Sequence, residues 1–106
     1  MLIPFLLTLF APTVVEAVPA FPIEMNMEYC YEDEPCGEAV WTFYEDGTFE
    51  SSSGSEGDWW ARGTDFRILY DHGSEYRGTL DPRVGCIEGL NRRDSGEMGT
   101  FEACVS

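Results

Sequence analysis

The sequence predicts an all-β domain, an antiparallel meander of about six to eight strands. Aromatic residues alternate with polar ones over residues 41–49, and the alternation resumes at residues 57–60. Turn-forming residues then recur at intervals of about 8–15 residues, which is typical of all-β chains. Such a meander closes into a barrel, curls into a half-barrel, or stays open as a curved sheet or β-sandwich.

Residues 1–20 have the pattern of a signal peptide. An apolar run of h-region length is followed by small residues at alternate positions, although the usual basic residues before the run are missing. A membrane anchor is disfavoured because Pro4, Pro12 and Glu16 interrupt the roughly 20 apolar residues that a spanning helix needs. We therefore expect a secreted or periplasmic protein with no membrane association after cleavage.

Four cysteines, Cys30, Cys36, Cys86 and Cys104, indicate two disulfides in a small exported domain. Four cysteines allow three connectivities. We favour Cys30–Cys36, which closes a short loop, and Cys86–Cys104, which links the last two strands. A zinc site is disfavoured because the chain has no Cys-x-x-Cys pair and only one histidine, His72.

Residues 21–38 show no clear period and contain prolines and clustered acids. We interpret this stretch as an extended arm and a disulfide-pinned acidic loop, with one short strand at residues 25–31. The antiparallel β domain then occupies residues 39–106. Its seven candidate strands are separated by Gly, Asp, Asn, Ser and Pro, and they lie at residues 39–44, 48–53, 58–62, 65–70, 75–80, 83–90 and 97–105.

Three registers can be predicted. A three-residue loop ending at a left-handed Gly47 pairs Phe43 with Phe49 and gathers the aromatic side chains on one face. The next prediction pairs Tyr70 with Tyr76. The third places Cys86 opposite Cys104, which also sets Glu88 opposite Glu102, an unfavourable pair unless it is solvated.

The aromatic and glycine positions have a characteristic spacing. It begins Trp41-x-Phe43-x-x-Asp46-Gly47-Thr48-Phe49 and continues Gly57-x-Trp59, Tyr76-x-Gly78-Thr79 and Gly99-Thr100-Phe101. This spacing resembles small exported lipocalin-like proteins. The resemblance covers about residues 40–103 and implies a small lipocalin-like barrel or half-barrel, commonly with a binding role. The chain is shorter than a full lipocalin and lacks the Gly-x-Trp motif before the first strand.

The charge is strongly negative, with 20 acidic and six basic residues and a net charge of −14. All six basic residues are arginine, and residues 18–58 contain eleven acids and no base. Nucleic acids and anionic membranes are therefore not expected as partners. Acidity also keeps an exported protein soluble and, as we expect here, monomeric.

No residue pattern indicates catalysis. His72 lies in a turn beside Asp71 and Ser74, where neighbouring residues cannot easily converge as a triad. No cofactor is expected, apart from a possible calcium ion on Glu32, Asp33 and Glu34 in the acidic loop. That loop lacks the spaced acidic pattern of known calcium loops, so a solvated loop is the stronger interpretation.

The predicted function is non-catalytic binding of a small apolar ligand or a protein surface. The candidate ligand-binding residues are the aromatic side chains of the predicted strands: Trp41, Phe43, Trp59, Trp60, Tyr70 and Tyr76. The alternative is an acidic secreted interaction or inhibitor protein without a pocket, and a third, weaker option is a hydrolase using two carboxylates. An interior void above about 300 Å³ favours ligand binding, whereas a filled core with an exposed tryptophan beside acids favours the alternative.

Overall fold

A computed structural model describes residues 20–106 as eight antiparallel strands in one closed barrel. Each strand pairs with its neighbour in sequence, and the last strand closes the barrel against the first. The strands are β1 Ile23–Tyr31, β2 Gly37–Phe43, β3 Thr48–Ser51, β4 Glu56–Arg62, β5 Asp65–Tyr70, β6 Glu75–Asp81, β7 Cys86–Arg92 and β8 Met98–Val105. The predicted all-β meander is confirmed, and it is closed.

The signal-peptide prediction falls almost entirely on residues 1–19, which lie outside the described residues. Within residues 20–106, no helix is long and apolar enough to cross a membrane.

The short strand predicted at residues 25–31 is confirmed as part of β1, but residues 21–38 are not an extended arm outside the β domain. Strand β1 alternates buried Met25 and Met27 with exposed Glu24 and Glu28, and it pairs with both β2 and β8. The barrel domain therefore begins at Ile23 and not at residue 39. Methionine carries little strand propensity, so the sequence did not show that this strand belongs to the barrel; closing the barrel gives it two partners.

The β2–β3 hairpin has the predicted register, with Phe43 opposite Phe49. Gly47 has a φ of 92°, a left-handed conformation that glycine adopts without steric penalty. Asp46 stabilises the turn because its Oδ1 accepts hydrogen bonds from the Thr48 hydroxyl at 2.7 Å and the Thr48 backbone N–H at 3.0 Å. The Thr48 hydroxyl hydrogen bond holds the pKa of Asp46 below its ordinary value.

The predicted β5–β6 register is wrong by two residues. Tyr76 lies opposite Ile68, and the Tyr70 backbone N–H donates to the Ser74 carbonyl at 2.9 Å. The connecting loop is shorter than predicted because Gly73, with a φ of 104°, completes a tight turn. A two-residue shift preserves the side-chain alternation, so the predicted inner face is unchanged.

Both predicted disulfides are present, Cys30–Cys36 and Cys86–Cys104. The first spans the loop between β1 and β2, and the second joins directly opposed residues of β7 and β8. Strand β7 begins at Cys86 and not at residue 83, because the preceding residues form a turn that ends at Gly85 with a φ of 69°.

Trp41 is the centre of the core and is fully buried. Its ring packs edge-on against Tyr76 at 5.2 Å, Phe101 at 5.7 Å and Phe49 at 6.2 Å between ring centroids. Such edge-to-face contacts add to the burial of apolar area. The middle of the barrel is therefore filled by side chains.

One end of the barrel is plugged by aromatic rings. Trp59 points inward, where its ring stacks between Phe66 at 5.9 Å and Phe21 at 5.8 Å and meets Phe43 edge-on at 5.6 Å. Trp60 points outward from the same strand and is 47% exposed. Of the two adjacent tryptophans, Trp59 therefore packs against the core and Trp60 does not.

The two disulfides are expected to differ in their effect on stability. Cys86–Cys104 spans 18 residues and Cys30–Cys36 spans six. In the loop-entropy model, replacing the longer pair by serine lowers the free energy of unfolding by about 3 kcal/mol and the shorter pair by about 2 kcal/mol. Urea denaturation of the two double variants measures both values. Equal values, or a larger loss from the shorter loop, would contradict the prediction.

Candidate functional site at the barrel mouth

The end opposite the aromatic plug is an open mouth with a cavity of about 180 Å³. The cavity lies where β1, β3, β5 and β7 end and the following strands begin. Its lining is mixed polar and apolar, and it consists of Met27, Tyr29, Tyr31, Glu38, Ala39, Ser51, Ser53, Ser55, Tyr70, His72, Ser74, Tyr76 and Arg93. The name "mouth" refers to these residues.

Four tyrosines supply most of the aromatic surface of the mouth. Tyr70 and Tyr76 lie 5.6 Å apart between ring centroids, and Tyr29 and Tyr31 lie 6.1 Å apart. The Tyr70 hydroxyl accepts a 2.7 Å hydrogen bond from the indole N–H of Trp41, which ties the mouth to the core. A buried indole N–H needs such a partner, so Tyr70 is fixed in place.

Burial raises the pKa of three mouth tyrosines above the ordinary value of 10.0: Tyr31, Tyr70 and, by the largest amount, Tyr76. Removing a phenolate from water is unfavourable, so the neutral form is preferred. These hydroxyls therefore stay protonated at physiological pH. They can donate and accept hydrogen bonds, but they do not act as bases.

Asn91 is a buried polar residue next to the mouth. Its side chain is 1% exposed, and its cross-strand neighbours are Tyr76 and Gly99. Both amide atoms, Nδ2 and Oδ1, lack a hydrogen-bond partner. The amide lowers the pKa of Tyr76 in part, but no hydrogen bond of standard length and angle joins the two groups. An unpaired buried amide costs about 1–3 kcal/mol.

Arg93 forms a charged bridge at the rim of the mouth. Its guanidinium makes two parallel contacts with the Glu34 carboxylate, at 2.9 and 3.0 Å, and a third with Glu97 at 2.7 Å. The guanidinium carbon also lies 3.7 Å from the centroid of the Tyr31 ring, a cation–π contact. Arg93 thereby joins the disulfide loop after β1 to the β7–β8 turn.

The serines and His72 of the mouth do not form a nucleophile–base pair. Ser51 and Ser53 are hydrogen-bonded to each other at 2.8 Å, and the His72 ring stacks on Tyr70 at 4.9 Å. Among the described residues, no hydrogen bond joins His72 to a serine. The arrangement offers hydroxyl groups for recognition and lacks the contact that activates a serine.

The structure separates the six aromatic residues that the sequence singled out. Tyr70 and Tyr76 line the mouth, and Trp41 and Phe43 fill the core. Trp59 belongs to the plug at the other end, whereas Trp60 lies on the outer wall. Only two of the six candidates are therefore brought together around a cavity.

The acidic loop does not form a cluster of metal ligands. Glu32, Asp33 and Glu34 are all exposed, and Glu34 is engaged by Arg93. In the described part of the chain, groups of three candidate ligand atoms within 4.8 Å occur only where two of the three are sulfurs of one disulfide. Such sulfurs are not thiolates and do not serve as ligands.

A row of four exposed glutamates crosses the outer wall on β2, β1, β8 and β7. The direct cross-strand pairs are Glu38–Glu28, Glu28–Glu102 and Glu102–Glu88. The pair that was predicted on β7 and β8 is confirmed and belongs to a longer row. Like charges directly opposite each other are destabilising, so full solvation is what makes the row tolerable.

Sequence reasoning missed Asn91, Arg93 and the two tyrosines of β1. A signal for Asn91 was present, because it continues the alternation that makes Ile87 and Gly89 point inward. No signal in the sequence places Arg93 against Tyr31, because their contact depends on barrel closure.

Comparison of the chain with protein-family models, curated proteins and solved structures finds no match.

The buried tyrosines predict a loss of stability at alkaline pH. The pKa of Tyr76 in the folded protein lies above 10.0, so the contribution of Tyr76 to stability is fully present below pH 10 and is lost as the pH rises towards the folded value, because the unfolded chain ionises first. Tyr76→Phe removes one such group and should reduce this fall. Thermal melts between pH 8 and pH 11 test it; an identical pH dependence in both proteins would contradict the assignment.

Proposed function

We propose that this protein is a non-catalytic exported binding protein that holds a small polar ligand at the mouth of its barrel. The observation that carries the proposal is the pair of tyrosines Tyr70 and Tyr76 at the cavity, with Asn91, a fully buried amide without a hydrogen-bond partner, directly opposite Tyr76. A core position on a strand is better filled by an apolar residue. Asn91 does not itself line the cavity, so an amide that lowers stability here is explained if it acts in recognition through Tyr76.

The ligand class follows from the size and lining of the cavity. About 180 Å³ is below the roughly 300 Å³ of typical ligand pockets, so a lipid-sized molecule does not fit. The lining offers tyrosine and serine hydroxyls beside aromatic rings and the apolar side chains of Met27 and Ala39. These features support a compact ligand bearing hydroxyl or amide groups, in place of the apolar ligand expected from the sequence.

A binding role is favoured over catalysis because the mouth lacks an activated group. Burial keeps the Tyr70 and Tyr76 hydroxyls protonated, and Arg93 is occupied by two carboxylates. Neutral hydroxyls fixed by the core are suited to specific hydrogen bonding. The closed meander is also the architecture that the lipocalin-like resemblance implies for a binding protein.

Export is supported by the two disulfides, which form and persist in oxidising compartments. They are compatible with an extracellular or periplasmic location. The signal-peptide pattern of residues 1–20 agrees with this proposal.

The alternative, an acidic interaction protein without a pocket, is favoured by the row of four glutamates. It is the weaker candidate because exposed carboxylates are common on acidic proteins. This alternative predicts an exposed tryptophan beside acids. The groove at Trp60 is instead lined by two arginines, Arg62 and Arg67, and by one acid, Asp65.

The test uses the Asn91 side-chain amide as a reporter. The uniformly ¹⁵N-labelled protein is titrated with small polyols, monosaccharides and primary amides, and separately with medium-chain fatty acids. We expect at least one polar compound to shift the Asn91 side-chain resonances and those of Tyr76, with no shift from the fatty acids. Binding of the fatty acids in the mouth, or no polar binder, would count against the proposal.

A variant separates recognition from folding. Asn91→Val replaces the amide by an apolar group that strands favour, so the free energy of unfolding should rise by about 1 kcal/mol or more while binding is lost. Val84→Ala, in an exposed turn at the plugged end, is the matched control and should keep both properties. Reduced stability in Asn91→Val would show that the amide is structural.

A further inference from the structure

A second feature lies on the outer wall, away from the mouth. Trp60, Arg67, Arg77 and Leu90 are consecutive cross-strand partners on β4, β5, β6 and β7. These four residues are named the Trp–Arg strip. Trp60 is 47% exposed and Leu90 is 55% exposed, so two apolar side chains frame two guanidinium groups.

The arginines of this wall differ from the others in their pairing. Arg83, Arg92 and Arg93 each contact a carboxylate at 3.0 Å or less. Within residues 20–106, Arg77 has no carboxylate within 4.0 Å, and Arg67 reaches one, Asp65, only at 3.8 Å. In a chain with 20 acids and six arginines, this shortage of close partners on one wall is unexpected.

Two features of the strip lower stability without helping the fold. Arg67 lies directly opposite Arg77, and like charges in that position repel. The Nε atom of Arg67 is also buried without a hydrogen-bond partner. An anion between the two guanidinium groups would relieve the repulsion.

Trp60 has no packing role that accounts for it. The inward position of β4 is filled by Trp59, and Phe21, at the start of the described chain, stacks on Trp59 and not on Trp60. Exposed tryptophan beside arginine is the composition of binding hot spots. The strip therefore combines an aromatic face, two cations and a second apolar side chain on the outer wall of the barrel.

We infer that the Trp–Arg strip binds a carboxylated polysaccharide, with one sugar ring on the Trp60 indole and uronate groups on Arg67 and Arg77. Guanidinium groups bind carboxylates through two parallel hydrogen bonds. Neighbouring strands lie about 4.8 Å apart, close to the length of one sugar unit in an extended chain. Carboxylates on successive sugars can therefore meet successive arginines.

An acidic peptide fits the strip less well. Side chains on one face of an extended peptide repeat every two residues, about 6.6 Å, which is longer than the strand spacing. A closed barrel also leaves no unpaired edge to which a peptide could add as a strand. The polysaccharide is the occupant that the spacing and the charges favour.

The acidity of the protein does not prevent this binding. The glutamate row lies on β2, β1, β8 and β7, so it meets the strip only at β7. At 0.15 M ionic strength the screening length is about 8 Å, so carboxylates on the far side of the barrel have little effect at Trp60 and Arg67. The nearest acid is Asp65, 3.8 Å from Arg67, and three arginines on the same wall, Arg62, Arg67 and Arg77, outnumber it.

The experiment measures binding of size-defined oligogalacturonate at 0.15 M NaCl by tryptophan fluorescence and calorimetry. We expect saturable binding that Arg67→Ala/Arg77→Ala weakens by about 10- to 100-fold, the loss expected for charge-assisted hydrogen bonds. Trp60→Ala should weaken binding and abolish the fluorescence change. Arg83→Ala, which removes a surface charge elsewhere, is the control and should bind as the parent does.

Three other results would overturn the inference. Equal binding of polyglutamate assigns the strip to acidic proteins, and equal loss in Arg83→Ala shows a non-specific charge effect. No binding of oligogalacturonate at millimolar concentration removes the proposed ligand class. Thermal melts of each variant, including those at the partly buried Arg67, show whether unfolding is the cause of any loss of binding.

Discussion

The packing of Trp41 at the centre of the barrel is the constraint on which the rest of the structure depends. A small barrel has room for one large ring at its middle, and Trp41 fills that position completely. Its one polar atom is satisfied by the Tyr70 hydroxyl, so the ring can be buried without an unpaired donor. Because the middle is filled and the opposite end is plugged around Trp59, the interior space that residues 20–106 leave for a ligand lies at the mouth.

Strand alternation divides this small molecule into two independent chemical surfaces. Inward positions supply the core and the tyrosines of the mouth, whereas outward positions supply the glutamate row and the Trp–Arg strip. Each surface keeps polar groups that the fold does not need: the Asn91 amide inside and the Arg67 guanidinium outside. Groups that violate local packing rules without a structural benefit are expected mainly at functional sites.

The distribution of arginine links the charge of the chain to its geometry. Arg93 holds the disulfide loop against the β7–β8 turn, so one charged group orders two connections at the rim of the mouth. The pKa of Glu34 is lowered by this contact, which shows that its charged form is preferred. On the wall, Arg67 and Arg77 lack comparable partners. A close contact with a carboxylate therefore distinguishes the arginines that stabilise the fold from those that are available to a ligand.

The sequence by itself determined the local features. Alternation and turn residues predicted the strands from residue 39 onward, the left-handed Gly47 and the Phe43–Phe49 register, because these depend on neighbouring residues and short loops. The sequence favoured one of three disulfide pairings, and the tertiary structure decided for it. Only the tertiary structure decided closure through β1, the two-residue shift at Tyr70, and which aromatic residues line a cavity. These features depend on contacts between distant strands, and side-chain alternation is unchanged by a shift of two residues.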